Sequence, residues 1–347
     1  MKVITKKHKI PYYTSKQFSY YYDDMKIGIF DIETLGLNST LCPMILAGFM
    51  TFEEDDQCTI VQYFAENPGE EIEILNQLKL DFEKVDYIFT YNGKHFDIPF
   101  VEKRANLARI NDINTFIHNL DLYLVLNGHS EIKHIVKNLK QKSIEEYMGL
   151  SDTRCDVISG AESIKLYEAY LNATKPDEKQ LLEDKILLHN HDDLLQLYQL
   201  MPILKQVDIH KAFYSLGFPI KGRSGWPTLN ITSLKVNSTE LKISGKYYGE
   251  KFSYISYPTV RKHFSCKFNE DNTFEFEIHI MKHKGNTFIN LPSFFRYYKR
   301  FKKYPNFVKD FLLISTSNSI NHLEINAFTK EFIIKFMNDT ICPLMVL

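Results

Sequence analysis

The 347-residue chain is expected to be an α/β protein. A mixed five-stranded sheet with flanking helices should occupy residues 26–207, and a smaller α+β domain residues 208–347. Three features carry this expectation. Short apolar runs and segments of helical spacing follow one another in the order of a mixed sheet covered by helices. A stretch rich in Gly and Pro, residues 217–227, then interrupts the pattern. The charge also changes sign. Residues 1–205 hold 22 Lys and Arg against 32 Asp and Glu, a net −10, whereas residues 206–347 hold 20 against 11, a net +9.

Residues 1–25 are set aside as an N-terminal extension. The run Lys26-Ile27-Gly28-Ile29-Phe30-Asp31 is short and apolar, which predicts a strand. Residues 45–52 and 59–64 predict two more. The short polar connection 53–56 between them makes antiparallel neighbours the expectation. Residues 70–84 carry Ile72, Leu75, Leu78 and Phe82 at helical spacing. A strand over 86–91, a helix over 96–107 and a fifth strand over 115–120 follow. Helices are expected over 122–126, 143–148, 161–171 and 177–204, the last long and apolar on one side. If the first strand is central, Asp31 and Glu33 lie near the middle of the sheet. Beyond the Gly- and Pro-rich stretch come strand-like runs over 229–236, 240–247, 252–256, 263–268 and 273–280. Residues 269–272 suit a hairpin turn. A basic aromatic helix over 292–303, a strand over 311–315 and a closing helix over 323–337 complete the second domain.

Composition excludes several classes. A 44% hydrophobic and 24% charged chain is that of a soluble globular protein. No uninterrupted apolar run approaches the roughly 20 residues of a membrane span. The first residues, Met1-Lys2-Val3-Ile4-Thr5-Lys6-Lys7-His8, have no apolar signal core behind them. A cytoplasmic protein without a membrane partner is therefore expected. The five cysteines are odd in number and scattered, which argues against a disulfide framework and a CxxC zinc site. An acidic half that gathers metal and a basic half that attracts phosphate suit a nuclease. Ordinary solvated surface is the competing reading of the basic half.

Three acidic elements stand out. Asp31 and Glu33 sit two apart in Asp31-Ile32-Glu33-Thr34, so on a strand they share one face. Two such carboxylates repel unless cations neutralise them. Oxygen-rich ligation of this kind suits Mg²⁺ or Mn²⁺. Asp97 opens a predicted helix in Tyr91-Asn92-Gly93-Lys94-His95-Phe96-Asp97, after a buried strand. Asn92 ends that strand, Gly93 permits a tight turn, and Phe96 can wedge against a nucleotide or pack helix on sheet. The third element, His189-Asn190-His191-Asp192-Asp193, is helical. His189 and Asp193 are four apart and share a face, while Asp192 points about 100° away. Four carboxylates from three segments can hold two divalent ions, a common device for cleaving a phosphodiester.

Together these segments resemble the DEDD 3′–5′ exonucleases of the RNase H-like superfamily, and are most similar to its YprB-type family. Asp31-Ile32-Glu33-Thr34-x-Gly36 resembles the first exonuclease motif. Tyr91-Asn92-Gly93-x-x-Phe96-Asp97 resembles the second, and His189-Asn190-x-x-Asp193 the third. The likeness covers roughly residues 25–205 and implies an RNase H-like fold. It implies that Asp31, Glu33, Asp97 and Asp193 bind two Mg²⁺ or Mn²⁺ ions. It also implies that Thr34, Leu35 and Gly36, through their backbone, together with Asn92, contact the terminal nucleotide, and Phe96 is the further substrate-contact candidate. The implied activity is a 3′–5′ exonuclease on single-stranded DNA or RNA. A structure-selective endonuclease and a non-catalytic nucleic-acid-binding module are its rivals. One departure matters: the family's third motif has Tyr with three residues before the Asp or His with four, and here His189 stands at the Tyr spacing. His189 is thus a proton acceptor or a water-orienting group. Asp121 is expected to cap a helix or to support the site.

In the basic half, Phe294-Phe295-Arg296-Tyr297-Tyr298-Lys299-Arg300-Phe301-Lys302-Lys303-Tyr304 interleaves aromatic and basic residues. It is either a single-strand binding surface or an amphipathic helix with a solvated face. Lys221, Arg223 and Trp226 are a lesser candidate of the same type.

Overall fold

The computed structural model describes residues 1–53, 56–156, 158–222, 226–259 and 262–345. Arg223 of the lesser candidate lies outside them. The chain divides into two compact units, Met1–Val207 and Asp208–Leu347.

The first unit is built on β1 (Lys2–Lys9), α1 (Lys16–Tyr22), β2 (Ile27–Thr34), β3 (Met44–Phe52), β4 (Gln57–Phe64), α2 (Glu71–Glu83), β5 (Tyr87–Thr90), α3 (Asp97–Leu107), β6 (His118–Asp121), α4 (Leu122–His129), α5 (Gln141–Tyr147), α6 (Gly160–Asn172) and α7 (Pro176–Gln199). Its mixed sheet has six strands in the order β1-β4-β3-β2-β5-β6. β2 lies inside it, antiparallel to β3 and parallel to β5. Such a strand is buried on both faces, which explains its nearly continuous apolar run. Phe30 and Ile32 pack with Leu75, Leu78 and Phe82 of α2 and with Phe100 and Val101 of α3. On the other face Ile45, Leu46 and Phe64 meet Tyr167 and Tyr170 of α6 and Ile186 and Leu187 of α7.

The sheet differs from expectation by one strand. Residues set aside as an extension supply β1, which pairs antiparallel with β4 from Lys2↔Phe64 to Lys9↔Gln57. Its four lysines hide the strand from composition, yet charge is how an edge strand resists pairing with another chain. α7 ends at Gln199 and a 3₁₀ segment, Met201–Gln206, follows. Pro202 accounts for the break.

The second unit contains α8 (Ile209–Leu216), β7 (Phe218–Ile220), β8 (Leu229–Val236), β9 (Glu240–Tyr247), β10 (Tyr254–Ser256), β11 (Phe264–Phe268), β12 (Thr273–His279), β13 (Met281–His283), β14 (Asn286–Asn290), β15 (Phe307–Val308), β16 (Phe311–Ser315) and α9 (His322–Phe336). Its strands form an antiparallel six-stranded sheet, β10-β11-β12-β9-β8-β7, and a four-stranded one, β13-β14-β16-β15. Phe268, Phe274 and Phe276 pack with Phe332 and Phe336 of α9 as a ring-on-ring core. The helix expected over 292–303 is absent. Two 3₁₀ turns stand there, Leu291–Ser293 and Tyr298–Lys303. Among the described residues, no helix is long and apolar enough to cross a membrane.

Candidate active site

Asp31 and Glu33 project from the face of β2 that α7 covers. Asn190 of α7 donates its Nδ2 to Asp31 Oδ2 at 2.9 Å, and Gln62 of β4 donates to Asn190 Oδ1 at 2.9 Å. Gly48 of β3 is the register partner of Asp31. A Cβ at Gly48 would strike the Asn190 side chain and Leu194, so a glycine there lets α7 approach. Glu33, one pleat further along β2, meets the other side of the same helical turn. His189 Nε2 is 3.6 Å from Glu33 Oε1 and 3.6 Å from Asp193 Oδ2. Ligand atoms of Glu33, His189 and Asp193 all lie within 4.8 Å of one another.

Asp97 is buried at the first position of α3. Its Oδ1 accepts from the backbone N–H of Ile32 at 3.3 Å, which ties it to the residue between the two β2 acids. The turn before α3 is held by Asp121, which accepts from the backbone N–H groups of Asn92 and Lys94 at 2.9 and 3.0 Å. It also caps α4 through Leu124. Asp121 is thus the expected cap of α4, and it also holds the turn that leads into Asp97. Asn92 stands at φ 63°, in the left-handed region that Asn tolerates. Phe96 is half-buried with its ring 5.5 Å from Phe100. Thr34 Oγ1 donates to the carbonyl of Gly36, and Leu35 packs against the α6–α7 side. Just beyond, Leu37 and Leu41 are 86% and 77% exposed, apolar surface at the end of the acidic strand.

Sequence reasoning missed the residues that hold His189. Asp156 accepts from His189 Nδ1 at 2.9 Å and from Arg154 Nη1 at 2.7 Å. Arg154 also reaches Asp193 Oδ1 at 2.6 Å and binds both oxygens of Glu145. Asp192 turns away from the cluster, as its position on the helix predicts. Its carboxylate accepts from the backbone N–H groups of Cys155 and Asp156 and so fixes the loop that carries Arg154 and Asp156.

Burial and mutual repulsion shape the electrostatics. Burial lifts the Asp31 carboxyl well above the usual range, and Asp97, Asp193 and Glu33 add repulsion. Burial also pushes Glu33 and Asp97 each up to about 7. Asp193 is raised by burial, though His189 and Arg154 oppose the shift. Burial works against charging His189, but Asp156, Asp193 and Glu33 outweigh it and raise its pKa. Burial would raise Asp156, yet His189 and Arg154 hold it well below the carboxylate range. An ionised Asp156 only accepts hydrogen bonds, so Nδ1 carries the proton and Nε2 faces the acids.

The donor set fits a hard divalent cation: carboxylate oxygens, one imidazole nitrogen and no thiolate. Arg154, and His189 whenever it is protonated, supply positive charge to this group of acids. Arg154 is shared with Glu145 and Asp156. Among the described residues, negative charge at Asp31, Glu33 and Asp97 thus has no direct cationic side-chain partner apart from a protonated His189.

A sequence profile of the RNase H superfamily matches residues 29–205. The chain belongs to the RNase H superfamily. The matched span of this RNase H-like unit runs from β2 to the 3₁₀ segment after α7. The Bacillus subtilis (strain 168) protein YprB is 29% identical over 183 residues, covering 52% of this chain and 42% of the relative. The chain thus spans less than half of that relative's length. Among solved structures, the family B DNA polymerase of the archaeon Pyrobaculum calidifontis is similar at 20% identity and a TM-score of 0.39, over 52% of this chain and 25% of the polymerase.

Proposed function

We propose that the chain is a metal-dependent nuclease, acting as a 3′–5′ exonuclease on single-stranded DNA or RNA. The observation that carries this reading is the meeting of Glu33, His189 and Asp193 within 4.8 Å on an RNase H-like sheet, with Asp31 and Asp97 beside them. Asp31, Glu33, Asp97 and Asp193 would hold two Mg²⁺ or Mn²⁺ ions. Bound there, the ions would polarise the scissile phosphate and activate a water. The chain's own residues do the rest. His189, fixed by Asp156 through Nδ1, offers Nε2 to orient the attacking water and accept its proton. Arg154 neutralises one oxygen of Asp193 and anchors Asp156. The Thr34–Gly36 backbone, Asn92 and Phe96 contact the terminal nucleotide, and exposed Leu37 and Leu41 offer its base an apolar face.

Purified protein should release mononucleotides from a linear single strand in Mg²⁺ or Mn²⁺ and stop when a chelator is added. Asp31→Ala or Asp193→Ala should abolish release. Cleavage that persists in both variants would sink the assignment. Cutting of a circular single strand would replace the exonuclease by an endonuclease on the same residues.

A further inference from the structure

The segment Phe295-Arg296-Tyr297-Tyr298-Lys299-Arg300-Phe301-Lys302-Lys303-Tyr304 repeats every third residue. Tyr298–Lys303 folds as a 3₁₀ helix, which has that period. Within that helix, with three residues per turn, Tyr298 eclipses Phe301 and Lys299 eclipses Lys302, while Phe295–Tyr297 and Tyr304 flank it in the same sequence spacing. One stripe is aromatic: Phe295, Phe301 and Tyr304 are buried and Tyr298 half-buried. Phe295 lies 5.1 Å from Phe301 and 5.8 Å from Phe328 of α9, so this stripe anchors the segment in the core. The next stripe is Arg296, Lys299 and Lys302, all exposed. The third, Tyr297, Arg300 and Lys303, is exposed beside it.

The cations are not equivalent. Arg300 is engaged, 3.0 Å from Glu331 and stacked 4.7 Å over Phe295. Lys242 and Lys335 of this unit are also ion-paired, with Glu240 and Glu277 and with Asp339. Arg296, Lys299, Lys302 and Lys303 enter none of these pairs. Lys299 and Lys302 stand one turn apart, about 6 Å along the axis. Tyr297 is 73% exposed, and the Arg296 guanidinium lies 5.5 Å from its ring centre. Lys303 also lies 5.3 Å over the Tyr304 ring, but a row of cations without acidic partners among the described residues, flanked by an exposed aromatic ring, matches a chain of phosphates with accessible base faces. A duplex hides those faces. A membrane surface calls for several exposed apolar anchors, and the exposed stripes carry Tyr297 alone.

We propose that this ridge binds single-stranded nucleic acid, with Arg296, Lys299, Lys302 and Lys303 on the phosphates and Tyr297 stacked on a base. The choice of occupant rests on the nuclease reading above. The test uses the full-length protein in chelator, where no cleavage occurs, and a labelled oligothymidylate of about 16 nucleotides followed by fluorescence anisotropy. Combined Arg296→Ala, Lys299→Ala and Lys302→Ala should weaken binding at least tenfold at low salt. The slope of log affinity against log salt should fall by about 2, at roughly 0.7 per lost phosphate contact. Tyr297→Ala should weaken binding about fivefold or more with an unchanged slope. Lys299→Arg with Lys302→Arg should bind like wild type, which guards against misfolding as the cause. Wild-type affinity and slope in the triple variant would overturn the proposal. So would loss of binding to phosphatidylserine vesicles with oligonucleotide binding intact, which would make the ridge a membrane contact. Loss of binding in the variants of a protein that never cleaves would remove the nuclease reading and keep the ridge. Cleavage by wild type with unaltered binding in the variants would do the reverse.

Discussion

His189 owes its usefulness to Asp156. The carboxylate holds Nδ1 at 2.9 Å and turns Nε2 toward Glu33 and Asp193. Asp156→Asn keeps the shape but can present its amide N–H to the ring, which favours the wrong tautomer. It should lower kcat roughly 10- to 100-fold, the usual cost of losing the group that orients a reacting side chain, with KM little changed. Steady-state kinetics beside Mn²⁺ calorimetry checks this, and an equal loss of Mn²⁺ affinity would assign Asp156 to metal binding. Asp31 illustrates the opposite balance. Burial and three neighbouring acids penalise its charge, so the metal-free fold is strained there. Asp31→Asn should raise the Tm of the metal-free protein by about 2–8 °C while ending cleavage. A fall in Tm would show that the charge is well solvated. Strand and helix periods paired Asp31 with Glu33 and His189 with Asp193 in the sequence, whereas Asp97 joined them only through its place at a helix start and the motif resemblance. Arg154 and Asp156 were not legible there, because they sit in an irregular loop whose contacts span 39 and 33 residues.

The elements carry their own tests. β3 brings Gly48 opposite Asp31, and α7 packs onto it through Asn190 and Leu194. Gly48→Ala should cost about 1–3 kcal/mol in urea unfolding, as overpacking does, and should slow single-turnover cleavage by displacing Asn190. Unchanged stability would mean that α7 shifts freely. At the far edge of the sheet, His118 of β6 meets Tyr22 Oη of α1 at 2.9 Å. Burial, helped by Lys94, lowers its pKa to about 3. An unfolded His titrates near 6.5, so between these values the unfolded chain binds the extra proton and stability rises with pH. The contribution is complete above about 6.5 and is lost as pH falls toward 3. Denaturation at pH 7, 6 and 5 should show stability falling toward acid by up to about 1.4 kcal/mol per unit from this group. His118→Gln should flatten that slope, and an identical slope would exclude His118. Lys-rich β1 escapes sequence reading, and the basic aromatic segment stands out in it but reads as an α-helix, for related reasons. Charge masks an edge strand, and a period of three passes for an amphipathic α-helix unless the repeat is counted.

Across the whole molecule, charge is partitioned: the residues up to 205 carry −10 and the remainder +9. Within the acidic part, Asp31, Glu33, Asp97 and Asp193 come from β2, α3 and α7, elements that meet only in the folded unit. The unfolded chain scatters them, so a divalent ion should bind the native state far better than the unfolded one. At a free Mn²⁺ concentration 100 times its Kd, linkage adds about 2.7 kcal/mol. For a unit of this size that corresponds to a rise in Tm of about 5–11 °C. Calorimetry with and without Mn²⁺ reads the shift, and Asp31→Ala combined with Asp193→Ala should abolish it. Hydrogen exchange should then place the added protection in β2, the start of α3, residues 154–156 and the 189–193 turn of α7, and leave residues 208–345 as they were. An equal shift in the double variant, or protection concentrated in the basic unit, would mean that Mn²⁺ binds elsewhere and that the buried carboxylates are held together by protons and Arg154.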